Sequence, residues 1–202
     1  MSERIIDRRV VRTKRMIRDA LTELMEEKGF DGITVRDLTE KAEINRGTFY
    51  LHYRDKYDLL EQCEEEILQR IKSKQTQLKE LSIEEINEYH ANNQPLPFVV
   101  QFFTYLKENA AFMKVVLGPK GDPSFQEKLK EVMKNNLLFH IINKTKKEEV
   151  LVPLEIFSAY VMSAHIGVIQ HWLNNGMKQT PEEIALILFK LIFMGPKNAI
   201  GL

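Results

Sequence analysis

Residues 46–52, with the sequence RGTFYLH, carry the side chains of this 202-residue chain that are best suited to binding chemistry. If the segment is helical, at about 100° per residue, Phe49 shares a face with Tyr53. Gly47 and Leu51 then point in the opposite direction. An outward face of glycine, threonine, tyrosine and leucine is unusual for a helix in water, but it suits a contact with a DNA groove.

Each side chain on that outward face has a possible partner in duplex DNA. Gly47 permits a close approach of the backbone, and Thr48 and Tyr50 can donate to phosphates or base edges. Leu51 could touch a thymine methyl group, and Arg46 could read guanine or hold a phosphate. From residue types alone, the alternative is a helical hairpin whose aromatic face binds nothing.

Three further positions are expected to reach phosphates. Thr34 precedes the second predicted helix and Lys56 begins the fourth, where free amides and the positive end of the helix dipole attract anions. His52 lies at the boundary between the two faces of the third helix and is expected to contact a phosphate from there.

The elements that must position these residues are predicted to be three short helices within residues 11–53. The first ends at Gly29, and the second is capped by Thr34 with Asp37 as the partner in a capping box. Asn45 caps the third after a tight turn. This pattern predicts a helix-turn-helix, in which the last helix enters the major groove of DNA.

Helical periodicity continues through the rest of the chain, and no long alternating strand pattern occurs. Asp55 is expected to cap a fourth helix of about twenty residues, a natural connector between two parts of the protein. We predict an all-α fold of about nine helices. Residues 1–54 would form an N-terminal arm and the helix-turn-helix domain, and residues 55–202 the connector helix and a C-terminal helical domain.

Composition is that of an ordinary soluble protein, with 44% hydrophobic and 29% charged residues. The net charge is zero, but residues 1–18 hold seven basic and two acidic residues, a basic arm able to neutralise phosphates. The single Cys63 excludes an intrachain disulfide and suits a reducing cytosol. No signal peptide or membrane span is recognised, so a cytoplasmic protein is expected.

Residues 33–60, ITVRDLTEKAEINRGTFYLHYRDKYDLL, resemble the N-terminal domain of TetR/AcrR-family transcriptional regulators. The matching parts are the threonine before helix two, the GTFY run, the aromatic-X-His-aromatic pattern, and Lys56 followed by two leucines. The family often has Phe where Tyr53 stands and Ser where Asn45 stands. The resemblance implies operator contacts, mostly to phosphates, from Thr34, Arg46, Gly47, Thr48, Tyr50, His52 and Lys56.

The C-terminal half resembles the corresponding domain of TetR-like regulators common in Firmicutes, through residues 102–125 and the WLNNGMKQTPEEIA string at 172–185. The resemblance implies a homodimer through the last two helices and a pocket for an unknown small-molecule effector. Plain core packing is the alternative for every candidate pocket residue. These candidates are Phe102, Phe103, Tyr105, Met113, Phe139, Phe157, Tyr160, His165 and Trp172.

The resemblance implies a transcriptional regulator, expected to be a repressor that binds a palindromic operator as a dimer and is released by its effector. The alternatives are an effector-independent regulator or activator that acts through a protein partner and, more remotely, a helical-bundle enzyme. The sequence lacks Glu-x-x-His motifs, a Gly-rich phosphate loop and a nucleophile elbow. His165 and His171, six residues apart, lie on different helix faces, so neither a metal nor a cofactor is expected.

Overall fold

The computed structural model describes residues 8–80, 82–144 and 151–201, without the side chains of residues 74–80, 83, 90, 136–144 and 196. The described residues form eleven helices and no strand. The all-α prediction is therefore confirmed, with two more helices than expected. The helices are α1 (Arg8–Lys28), α2 (Val35–Lys41), α3 (Arg46–Tyr50), α4 (Lys56–Glu80), α5 (Ile83–Ala91), α6 (Pro97–Glu108), α7 (Ala110–Val116), α8 (Pro123–Lys144), α9 (Leu154–Asn174), α10 (Pro181–Phe193) and α11 (Gly195–Ala199).

Helices α1 to α3 form a compact unit, here called the head (residues 8–53). Ile17, Leu21 and Met25 recur every four residues on α1 and are fully buried, as the apolar stripe predicts. Gly29 ends the helix with a positive φ of 73°, a conformation that glycine adopts without steric cost. The stripe on α1 therefore supplies one wall of the core of the head.

The two helices of the helix-turn-helix are fixed at their N-termini by side-chain caps. Thr34 and Asp37 form the expected capping box at the start of α2, and Asn45 caps α3. Helix α3 is shorter than predicted, because it ends at Tyr50 rather than near Tyr53. The chain turns there and still brings Tyr53 back into the core.

The described residues from 56 to 201 form the body, helices α4 to α11. Helix α4 packs against α6 and α8, and α10 packs against α6 and α9. Trp172 lies fully buried on α9, with its ring centre 5.3 Å from that of Phe103 on α6 in an edge-to-face contact. Its indole nitrogen donates to the Gln179 carbonyl at 3.0 Å, which satisfies the polar end of the ring.

Head and body share one hydrophobic core, which runs continuously from Ile17 on α1 to Leu188 on α10. The expected division between residues 54 and 55 therefore does not coincide with a break in the packing. Polar contacts cross the same boundary. The Arg18 guanidinium donates to Asn109 Oδ1 at 2.9 Å and lies 4.7 Å from the centre of the Phe112 ring.

A second polar contact joins the C-terminal end of α1 to the body. Lys120, in the loop between α7 and α8, donates from Nζ to the Glu26 carbonyl at 2.5 Å. A cation at this position also suits the negative end of the dipole of α1. Helix α1 is thus attached to the body both in its middle and at its end.

None of the helices in the described part of the chain is long and apolar enough to cross a bilayer. Within the same residues, no three His, Cys, Asp or Glu side chains are arranged so that they could hold a metal ion.

Candidate nucleic-acid interface

Helix α3 has one buried and one exposed face. Phe49 is 0% exposed and Tyr53, in the turn that follows, is buried beside it, with ring centres 5.6 Å apart. Tyr50 is 56% exposed and Leu51 is 80% exposed. The end of α3 and the residue that follows it therefore present two large side chains to solvent, while Phe49 anchors the helix in the core.

The start of α3 is organised by Asn45. Its Oδ1 accepts hydrogen bonds from the backbone nitrogen of Thr48 at 2.7 Å and from the hydroxyl of Thr48 at 3.1 Å. A Cβ atom at Gly47 would lie 3.2 Å from the same oxygen, a crowded distance that glycine avoids. Thr48 must turn its hydroxyl away from Asn45 before it can donate to a phosphate. Arg46 is exposed at the first position of the helix.

The Asp37 side chain forms the hydrogen bonds that organise the start of α2. Asp37 Oδ2 accepts from the backbone nitrogen and the hydroxyl of Thr34, each at 2.8 Å, and from Lys28 Nζ at 2.8 Å. The hydrogen bonds from Lys28 and Thr34 hold the pKa of Asp37 well below its usual range. Asp37 therefore stays ionised and fixes Thr34 at the entry to the helix.

The start of α4 differs from the sequence-based expectation of free amides. Asp55 Oδ1 accepts from the backbone nitrogens of Tyr57 at 2.9 Å and Asp58 at 2.8 Å. The Lys56 ammonium points toward the turn between α1 and α2, where it donates to the carbonyls of Phe30 at 3.1 Å and Asp31 at 3.0 Å. Asp55 therefore caps α4 as predicted, and two of the amides at this helix start already have a hydrogen-bond partner.

The remaining sequence-predicted DNA residue, His52, is partly buried in the turn after α3, and its ring centre lies 6.2 Å from that of Tyr53. Tyr57 is an exposed aromatic residue that sequence reasoning did not single out. Its ring packs edge-to-face on Phe30 with a centre separation of 5.4 Å. The sequence feature that could have identified Tyr57 is its position next to Lys56.

The candidate pocket residues of the body do not all face one space. Phe103 lies between Trp172 and Phe102, and Met113 is also fully buried. Tyr160, in contrast, is 56% exposed on α9 and so faces outward in the single chain. Phe102, Tyr105 and Phe157 are partly buried, and the side chain of Phe139 lies outside the described residues.

His165 is buried on α9, and its Nδ1 lies 2.6 Å from the Val161 carbonyl one turn earlier. Burial lowers the pKa of His165, because the charged imidazolium would lose its hydration. A surface cleft of about 400 Å³ lies elsewhere, beside α10 and α11, and none of the candidate pocket residues with a described side chain lines it. The cleft is lined by Asn93, Leu186, Phe189, Lys190, Met194 and Ala199.

The fold and α3 define a helix-turn-helix regulator of transcription. Residues 17–63 match the model of the bacterial regulatory proteins of the tetR family, and residues 93–194 match that of a transcriptional regulator C-terminal region. The chain therefore belongs to the TetR family, as the sequence motifs indicated. TetR-family regulators bind DNA, and the family is generally non-enzymatic.

The chain is also similar to one curated relative and to solved structures that share its fold. The HTH-type transcriptional regulator YxbF of Bacillus subtilis (strain 168) is 24% identical over 179 residues, which are 87% of this chain and 43% of YxbF. This chain thus spans less than half the length of that relative. A TetR transcriptional regulator from Streptococcus agalactiae 2603V is 23% identical, with a TM-score of 0.61 over 92% of this chain and 96% of that one. FadR from Bacillus subtilis, solved in complex with stearoyl-CoA, is 19% identical, with a TM-score of 0.63 over 90% and 98%.

Proposed function

We propose that the protein is a repressor that binds a palindromic operator as a homodimer and that a small molecule releases it. The observation that carries the proposal is the exposed pair of Tyr50, at the end of α3, and Leu51, directly after it, beside the buried Phe49. Two adjacent large side chains beside a short anchored helix form a surface that can enter the major groove, as the recognition helix of a helix-turn-helix does.

The proposed operator surface is the exposed side of the head together with the start of α4. Direct contacts to bases come from the outward face of α3, and contacts to phosphates from the helix starts around it. Lys56 belongs to this surface by its place in the chain, although its ammonium is turned toward carbonyl groups. The surface consists of Thr34, Arg46, Gly47, Thr48, Tyr50, Leu51, His52 and Lys56.

The homodimer is proposed to form through α9 and α10. Ile156 and Tyr160 on α9 and Ile187 and Phe193 on α10 are exposed apolar side chains in the single chain. Gly167 on α9 has open space where a Cβ would stand, so a second helix could approach closely there. A second copy would cover these residues, and this role suits the exposed Tyr160 better than a place in an effector pocket.

The proposed effector carries an apolar chain or ring, because most of the candidate effector residues predicted from the sequence are aromatic. The similar fold of FadR, solved with stearoyl-CoA, makes a long-chain acyl-CoA the first probe to use. One observation favours the effector-independent alternative instead. Phe103, Met113 and Trp172 are already fully buried by the protein itself, as in a plain core.

The test begins with selection of random duplex DNA by the purified full chain, followed by binding titrations on the winning sequence at several salt concentrations. We expect a palindromic consensus bound by a dimer, with an affinity that falls steeply as salt rises. Leu51→Ala should then weaken binding by about tenfold, consistent with the typical free-energy cost of losing a base contact.

Leu151→Ala is the matched control, because Leu151 is 97% exposed in the body and the same atoms are removed. It should leave operator affinity unchanged, with the dimer verified by sedimentation. Equal losses in both variants, or weak binding of all duplexes alike, would contradict the proposed operator surface. Adding stearoyl-CoA to the complex tests the effector class: release supports it, and unchanged binding favours the effector-independent regulator.

A further inference from the structure

Lys56 occupies a site built from the turn between α1 and α2. Its Nζ lies 3.1 Å from the Phe30 carbonyl oxygen and 3.0 Å from that of Asp31. The centres of the Phe30 and Tyr57 rings lie 4.9 Å and 5.2 Å from the same nitrogen. Two of the three ammonium protons are therefore donated, and two aromatic rings flank the charge.

The turn that Lys56 holds leads directly to the start of α2. The Ile33 amide donates to the Phe30 carbonyl at 3.1 Å, so this oxygen receives bonds from both Ile33 and Lys56. The next residue is Thr34, the cap of α2. The bonds from Lys56 therefore fix the start of α2 relative to the start of α4.

An outward swing of Lys56 to a phosphate would break these contacts. Both carbonyl bonds would be lost, and hydrogen bonds of charged groups are among the stronger ones in proteins. The ammonium would also leave the two rings. Asp55 already holds the amides of Tyr57 and Asp58, so the adjacent helix start offers little additional attraction for a phosphate.

We propose that Lys56 is a positioning residue, which clamps the turn between α1 and α2 onto α4 and so sets the placement of Thr34 and α2 against DNA. The ammonium itself does not bind an operator phosphate. The proposal rests on the proposed operator surface, but it changes the role of one of its members.

The salt dependence of operator binding separates the two roles. Each phosphate contact adds about 0.9 to the slope of log K against log salt concentration, so a dimer that loses two contacts should lose about 2 from that slope. In Lys56→Met, measured well below its unfolding temperature, the clamp predicts an affinity loss on the order of tenfold. The slope should stay as in the wild type.

The matched control is Lys41→Met, which removes the same charge from the head. Lys41 Nζ contacts Glu23 at 2.7 Å and Glu27 at 3.1 Å, away from the turn. Its affinity and slope should both remain as in the wild type. If Lys56→Met fails to fold, Lys56→Gln removes the charge but keeps a donor, and it carries the same salt test.

Hydrogen exchange supplies a readout that needs no operator. The Ile33 amide should exchange faster in Lys56→Met than in the wild type, whereas the Trp172 amide in α9 should not change. A slope reduced by about 2 in Lys56→Met, unchanged affinity, or unchanged exchange at Ile33 would each overturn the clamp. Failure of the wild type to select any duplex would instead overturn the proposed function, and the exchange result would still decide the clamp.

Discussion

The head and the body differ in how their candidate sites are assembled. The outward face of α3 lies within residues 46–52, so one short stretch of chain determines which side chains are exposed there. The candidate pocket draws on α6, α7, α8 and α9, and its members range from fully buried to 56% exposed. A site on one helix can be deduced from local periodicity, whereas a site between helices depends on packing that local sequence does not specify.

The difference between the two candidate sites does not come from the helices that carry them. Thr34 with Asp37 in the head and Thr180 with Glu183 in the body form the same capping box. Gly29 and Gly176 follow their helices with nearly the same positive φ, 73° and 74°. The same local signals therefore mark helix ends in both regions, and the difference begins where helices meet.

The largest expected effect separates two neighbouring aromatic residues of α3. Phe49→Ala should lower the free energy of unfolding by about 3–5 kcal/mol, because Phe49 is fully buried and its loss leaves a cavity. Tyr50→Ala should change stability by less than about 0.5 kcal/mol but weaken operator binding by about tenfold or more. Urea unfolding and operator titration measure both quantities. Similar stability losses in the two variants would mean that α3 has no separate binding face.

A second effect, of intermediate size, concerns Glu64 on α4. Its side chain is only 2% exposed, Lys128 Nζ lies 3.3 Å from Oε2, and Oε1 has no hydrogen-bond partner among the described residues. Burial raises the pKa of Glu64 to about 7, although the Lys128 ammonium opposes this and Asp122 and Glu61 add to it. The folded protein thus holds this proton more tightly than the unfolded chain.

The contribution of Glu64 to the free energy of unfolding should therefore be largest below pH 4.5, its pKa in the unfolded chain. This contribution should fall as the pH rises toward about 7. Glu64→Gln should remove this dependence and raise the free energy of unfolding at pH 8 by roughly 2 kcal/mol. Urea unfolding at pH 5 and pH 8 measures it, with Glu65→Gln as the control, because Glu65 is exposed on the same helix. A Glu64→Gln variant less stable than the wild type at pH 8 would show that the ion pair with Lys128 outweighs the burial cost.

The smallest expected effect compares the two capping boxes. Thr34→Ala and Thr180→Ala should each lower stability by about 1 kcal/mol, because each removes the side-chain cap of one helix. Only Thr34→Ala should also weaken operator binding, since Thr34 both belongs to the proposed operator surface and caps α2. Equal affinities of the two variants for the selected operator would contradict the place of Thr34 in that surface.

The errors of prediction have identifiable physical causes. Helix α3 ends at Tyr50 because the chain turns to bury Tyr53, and helical periodicity alone cannot distinguish a turn from another half-turn of helix. The amides at the start of α4 were expected to be free, although the Asp55 cap that binds them had been recognised. The direction of Lys56 depends on carbonyl groups 25 and 26 residues earlier in the chain, which no local pattern reveals.

Tyr160 shows why the candidate site of the body cannot be predicted from the sequence alone. An aromatic residue on an apolar helix looks the same in sequence whether it faces the interior, a ligand or a second chain. Only the packing of α9 shows that Tyr160 lies on the outside of the single chain, whereas Trp172, twelve positions later, lies at the centre.

The shared core and the attachment of Arg18 to Asn109 have a consequence for cooperativity. Because α1 packs against α7 and Arg18 is hydrogen-bonded to Asn109 at the start of α7, the helices of the head and the rest of the chain should melt in one transition. Calorimetry of the full chain would then show a single peak. A fragment cut after residue 54 would lose α7 as a partner of α1, so isolating the head should not preserve its stability.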